Sequence, residues 1–133
     1  MTAPAGQIID RPSAGRGRVH GHVLLLEDEA VIAMDLSDML EDMGAERVHI
    51  CFTVAEALAV LESHPIRLAL LDINLGTETS LPVAQYCEAR GVRHVLATGY
   101  GREGGAPEGF PETPLLLKPF GVQELHAALA EVD

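Results

Sequence analysis

Positive charge is scarce in this sequence: 9 Lys and Arg stand against 20 Asp and Glu, for a formal charge of −11. A surface of that sign repels nucleic acid and anionic lipid, which argues against DNA binding by this chain itself. Cysteine is equally sparse. Cys51 and Cys87 each fall inside an apolar segment, the setting of buried free thiols in a reducing cytosol and not of a disulfide. No apolar run approaches the roughly 20 residues that span a bilayer, and the N-terminus lacks the apolar core of a signal peptide. A cytoplasmic protein is the expectation. With 133 residues, 47% of them hydrophobic, the chain has enough for one substantial core and no room for a second module.

Residues 1–21 are rich in Gly, Pro, Ala and Arg without periodicity and read as a disordered N-terminal tail ahead of a folded domain over 22–133. Arg11, Arg16 and Arg18 against Asp10 make the tail basic, and no function is assigned to it. The folded part is organised around Leu68-Ala69-Leu70-Leu71-Asp72, an apolar run that ends in an acid and reads as a buried strand of a parallel sheet. Two further buried strands end in charged residues. His22 to Leu26 runs into Glu27-Asp28-Glu29, and Leu115-Leu116-Leu117 runs into Lys118-Pro119. His94 to Ala97 forms a fourth, ending in Thr98, and Val48, Ile50 and Phe52 alternate as in a more peripheral strand.

Helical segments separate these strands. From Ala30 to Met43 the residues Ile32, Leu36, Met39, Leu40 and Met43 share one stripe, and Gly44 is a natural stop. Thr53 and Glu56 form a capping box that opens a second helix, which Pro65 ends. Ser80-Leu81-Pro82 opens a third and Gly91 closes it, while a final amphipathic helix runs from Val122 to about Val132. Alternating strands and helices imply an α/β fold with a parallel sheet covered on both faces. One helix is missing. The segment 101–114 carries four Gly, three Pro and a single large apolar residue, Phe110, so the fourth helix is expected to be shortened or replaced by a long loop.

The strand ends converge on one edge, where open α/β sheets place their chemistry. Glu27, Asp28, Asp72, Thr98 and Lys118 together offer a nucleophile, oxygen ligands, a hydroxyl and a fixed cation. A carboxylate attacking phosphorus approaches a group that is itself anionic, so a hard divalent cation such as Mg²⁺ is needed between them. Asp28 and Asp72 would bind Mg²⁺ directly, Glu27 through water, and the backbone carbonyl of Asn74 would complete the protein's share. Lys118 and the Thr98 hydroxyl would each meet one phosphoryl oxygen. The blander reading of the three consecutive acids is a helix N-terminus, which favours Asp and Glu.

In these motifs, Leu-Leu-Leu-Glu-Asp-Glu, Leu-Leu-Asp-Ile-Asn-Leu-Gly, Ala-Thr-Gly and Leu-Lys-Pro-Phe, the sequence from about His22 onward resembles the receiver domain of two-component response regulators. That resemblance implies a flavodoxin-like (CheY-like) sheet in the order 2-1-3-4-5 and phosphorylation of Asp72 by a histidine kinase phosphohistidine or a phosphotransfer protein. It also implies self-catalysed dephosphorylation and a switch in which Thr98 moves toward the phosphoryl group. Most receivers carry an aromatic residue three positions before the lysine, where this chain has Leu115, and the nearest aromatic is Tyr100. The pattern is similar to a subgroup with a Phe-Ala-Thr-Gly-Tyr motif, with Leu96 in place of its Phe. Tyr100 is therefore the expected partner of Thr98, and the loop over 99–114 the element that orders on phosphorylation.

With no output domain expected after Asp133, signalling would run through protein contacts, as a relay, a phosphate sink or a binder of a downstream target. A monomer or weak dimer is expected, since the missing helix belongs to the usual receiver dimer face. The alternative is a small phosphatase-type enzyme with Asp72 as nucleophile. Such enzymes want a second acid two residues later, where this chain has Asn74, and a cap for which the chain leaves little room.

Overall fold

The computed structural model describes residues 18–99 and 105–132. Nine elements follow in order: β1 (His22–Leu26), α1 (Ala30–Asp42), β2 (Arg47–Cys51), α2 (Val54–Ser63), β3 (Ile66–Asp72), α3 (Leu81–Arg90), β4 (His94–Thr98), β5 (Leu115–Leu117) and α4 (Val122–Glu131). The five strands form one parallel sheet in the order β2-β1-β3-β4-β5. The expected doubly wound α/β arrangement and strand order are therefore present. Among the described residues no helix lies between β4 and β5. Phe110 and Ala106 of that connection pack against the core, and the Thr113 hydroxyl donates to the His94 carbonyl.

Strand periodicity divides the aliphatic residues between two layers. Val23 and Leu25 of β1, with Leu68 and Leu70 of β3, face Leu36 and Leu40 of α1 and Leu125 and Leu129 of α4. Their neighbours Leu24, Leu26, Ala69 and Leu71 face Ala57 and Leu61 of α2 and Val83, Ala84 and Cys87 of α3. Successive side chains of a strand point to opposite faces, so an unbroken apolar run is what a strand covered on both sides requires. Each fully buried Leu contributes about 1.5–3 kcal/mol of transfer free energy. The Leu-rich stretches of β1 and β3 are thus the principal source of cohesion, and they fix which residue arrives at the strand end.

The helix boundaries follow local chemistry with two departures. Thr53 Oγ1 accepts from the Glu56 N–H at 3.1 Å and Glu56 Oε1 accepts from the Phe52 N–H at 2.8 Å, a reciprocal cap that reaches one residue further back than the usual box. Replacing Thr53 by Ala is expected to cost about 1 kcal/mol, read as a lower urea midpoint with an unchanged slope. Gly91 closes α3 in the left-handed conformation at φ 71°. Ser80 precedes α3 without acting as its side-chain cap: its Oγ is buried and makes no hydrogen bond. Phe52 is not the third inward residue of β2, since the strand ends at Cys51 and Phe52 is exposed. Inward packing is taken instead by Cys51, whose side chain belongs to the α2–α3 layer.

Residues 1–17 of the expected tail lie outside the described residues. Of residues 18–21, Val19 is buried in the α1–α4 layer and its N–H donates to the Met43 carbonyl at 3.4 Å, while Arg18 and His20 are exposed. Gly44 makes this approach possible. At φ 123°, a conformation L side chains rarely adopt, a Cβ added there would stand 2.2 Å from the Val19 carbonyl oxygen.

Candidate functional site

Buried hydrophobic strands deliver three charged side chains to one point. Glu27 directly follows β1, Asp72 closes β3 and Lys118 directly follows β5. Lys118 Nζ lies 2.9 Å from Glu27 Oε1 and 3.3 Å from Asp72 Oδ2. Glu27 is 1% exposed and Asp72 5% exposed, so the ammonium bridges two desolvated carboxylates. The second oxygen of Glu27 accepts from the Glu29 N–H at 3.1 Å. Both oxygens of Glu27 are thus engaged by protein donors, while Asp28 is exposed beside them.

The electrostatics follow from this crowding. Burial, then the negative charge of Glu27, push Asp72 up to about 6 against the opposing pull of Lys118. Burial alone would lower Lys118, but its hydrogen bond to Glu27 and the charge of Asp72 outweigh that and raise it. Lys118 is therefore a fixed cation. Asp72 carries excess negative charge that its surroundings only partly balance.

Glu27, Asp28 and Asp72 each offer an oxygen within 4.8 Å of the others, the group of potential metal ligands found among the described residues. An all-oxygen, all-anionic donor set suits a hard divalent cation, and the raised Asp72 marks a charge imbalance that such a cation would relieve. Asn74 lines the same cleft, of about 490 Å³, with Asp28, Asp72, Gly76, Gly99 and Lys118. Its side-chain oxygen accepts from the Gly76 N–H at 3.0 Å, which holds the turn after β3.

Thr98 closes β4 and is 2% exposed. Its carbonyl accepts from the Lys118 N–H at 2.8 Å, so the two share one rung of the sheet, and it lines a neighbouring cavity of about 220 Å³ together with Asn74. Tyr100 lies outside the described residues. One connection was not legible in the sequence. Glu78, six residues beyond Asp72, accepts from the Val54 N–H at 3.0 Å and joins the loop after β3 to the start of α2. Nothing in the spacing of Glu78 distinguished it from a solvated acid.

The chain is 39% identical to SdrG from Sphingomonas melonis Fr1, known from a solution structure, over 87% of this chain and 97% of that one, with a TM-score of 0.70. A CheY-like response regulator receiver domain protein from Methanospirillum hungatei JF-1 is 25% identical over 84% of this chain and 91% of its own, with a TM-score of 0.67. The response regulator TrrA from Thermotoga maritima, crystallised with Mg²⁺ and BeF, shares the fold at a TM-score of 0.71 and 22% identity, over 85% of this chain and 99% of its own. Among curated proteins, the transcriptional regulatory protein PdtaR of Mycobacterium tuberculosis is 28% identical over 116 residues, 80% of this chain. The chain spans about half the length of that relative, 54%. No protein-family model matches.

Proposed function

Because the chain belongs to the CheY-like response regulator receiver domains, we propose that it signals by carrying a phosphoryl group on Asp72. The donor is the phosphohistidine of a sensor histidine kinase or of a phosphotransfer protein, and the output is contact with a further protein. What carries this reading is the position of Asp72: a buried carboxylate at a strand end, held 3.3 Å from a lysine ammonium that a second buried acid anchors.

In this reading an Asp72 oxygen forms the bond to phosphorus as the bond from phosphorus to the donor nitrogen breaks. The electron pair leaves with the donor nitrogen, and because the other ring nitrogen of the phosphohistidine already carries a proton, the imidazole departs neutral. Lys118 meets one phosphoryl oxygen and offsets the charge that spreads over it. Glu27 keeps the ammonium in place, since its grip on Nζ at 2.9 Å is closer than that of Asp72. Asp28, Asp72 and the Asn74 carbonyl would hold Mg²⁺, with Glu27 acting through water. When bound, the cation supplies charge neutralisation between nucleophile and phosphoryl oxygens. TrrA, which shares the fold, was crystallised in complex with Mg²⁺ and BeF. The Thr98 hydroxyl turns toward the phosphoryl group, and with Tyr100 it carries the change to the 99–114 connection.

Intact mass after incubation with acetyl phosphate tests the assignment. The wild type is expected to gain one phosphoryl mass with Mg²⁺ present, to gain none in EDTA, and Asp72→Asn to gain none in either. An equal gain in the Asn variant would remove Asp72 from the role. Steady turnover of a small phosphomonoester would replace signalling by a phosphatase reading.

A further inference from the structure

Three histidines far apart in the sequence meet at the other end of the sheet. His22 opens β1, His49 sits in the middle of β2, and His64 follows the last residue of α2. Their ring centroids are 5.1 Å apart for His22 and His49, 4.4 Å for His49 and His64, and 5.9 Å for His22 and His64. His22 Nδ1 and His49 Nε2 are 3.0 Å apart, and His64 Nδ1 is 3.0 Å from the Ser63 hydroxyl. His49 is 9% exposed and the other two are half-buried. Since Asp72 closes its strand and His22 opens one, the parallel sheet sets this cluster away from the phosphoacceptor.

We propose that His22, His49 and His64 form a proton-sensitive latch that fastens the C-terminal end of α2 to the β1–β2 edge and loosens when the imidazoles become charged. The contact between His22 and His49 needs one nitrogen with a proton and one without. With both rings protonated, two N–H groups face each other and the bond becomes a repulsion. The charged groups acting on His49 are His64, just after α2, Arg47 from its own strand and His22 from β1. All three are cationic or become so, and none is a carboxylate. Burial first, and then these charges, hold His49 below the ordinary imidazole value.

The sign follows by linkage. The unfolded chain takes up a proton at His49 near pH 6.5, whereas the folded chain resists it. Stability contributed by the neutral latch is therefore present above that pH and is lost as the pH falls through it.

The test is urea unfolding of the full chain between pH 8 and 5.5, for the wild type, His49→Gln and His64→Gln. Asp72 titrates in all three, so its effect cancels in their ratios. The wild-type folding constant is expected to fall relative to His49→Gln by a factor approaching ten per pH unit below about 6.5, and His64→Gln to show a reduced dependence. Amide protection over residues 58–64, corrected for intrinsic exchange, is expected to drop in the same interval in the wild type. A ratio independent of pH would overturn the latch. If His49→Gln does not fold, ring-proton titration of the wild type decides. Three independent imidazoles with midpoints near 6.5 would overturn it, and a depressed His49 with mutually dependent midpoints would support it.

Discussion

Replacing Lys118 by Ala is expected to lower stability by about 3–5 kcal/mol, because removing one partner of a buried ion pair leaves charge desolvated and uncompensated. Here two carboxylates lose their counter-cation at once. Glu27 and Asp72, 1% and 5% exposed, would face each other with only the Glu29 N–H still bonded to Glu27. Urea unfolding at pH 7.5 without Mg²⁺ measures the effect, and a loss under 1 kcal/mol would mean that water enters to solvate the pair. Adding Mg²⁺ should recover part of the loss, since the cation would supply the missing positive charge. Phosphoryl acceptance from acetyl phosphate should fall on the order of 10²–10³-fold even where the variant is folded, a magnitude typical of losing one fixed charge-stabilising donor.

Asp72→Asn should do the reverse for stability. With its pKa pushed up to about 6, Asp72 gains a proton more readily in the folded chain than in the unfolded one. The stability that Asp72 contributes is therefore highest below about pH 4, falls as the pH rises to about 6 and stays low above it. The Asn variant has no charge to desolvate, so at pH 7 it should exceed the wild type by roughly 1–3 kcal/mol. Loss of the Lys118 contact offsets part of the gain. The excess should vanish toward pH 4 and shrink when Mg²⁺ binds the wild type. Thermal unfolding of both proteins across pH 4–7.5 gives the comparison, and a variant less stable than the wild type at pH 7 would show that attraction to Lys118 outweighs burial.

The site was legible because apolar strands end abruptly in polar residues. Four Leu or Ala residues ahead of Asp72 allow only a buried strand, and the same logic places Glu27, Thr98 and Lys118 at one edge. Its internal pairing was not legible. Glu27 reads as one of three equivalent acids in Glu27-Asp28-Glu29, and nothing local shows that it turns inward to Lys118, 91 residues away, while Asp28 faces solvent. That no helix lies between β4 and β5 among the described residues followed from the Gly and Pro of the segment. The histidine cluster did not, because its members come from a strand start, a strand centre and a helix end, which no periodicity links. Ser80 misled for a related reason. Its type and position suit a cap, yet the loop carrying it turns the hydroxyl into a buried setting without a partner.

The distance along the chain between the two ends of the Lys118–Glu27 contact has an effect on timing. In order of synthesis Glu27 and Asp72 both precede Lys118, so until β5 docks beside β4 the two acids lack the ammonium that bridges them. The finished sheet brings the ammonium to Asp72 on the rung where Thr98 and Lys118 bond. On the proposed phosphoacceptor role, molecules lacking β5 would therefore be poor competitors for a phosphoryl donor, since Asp72 would have no fixed cation beside it.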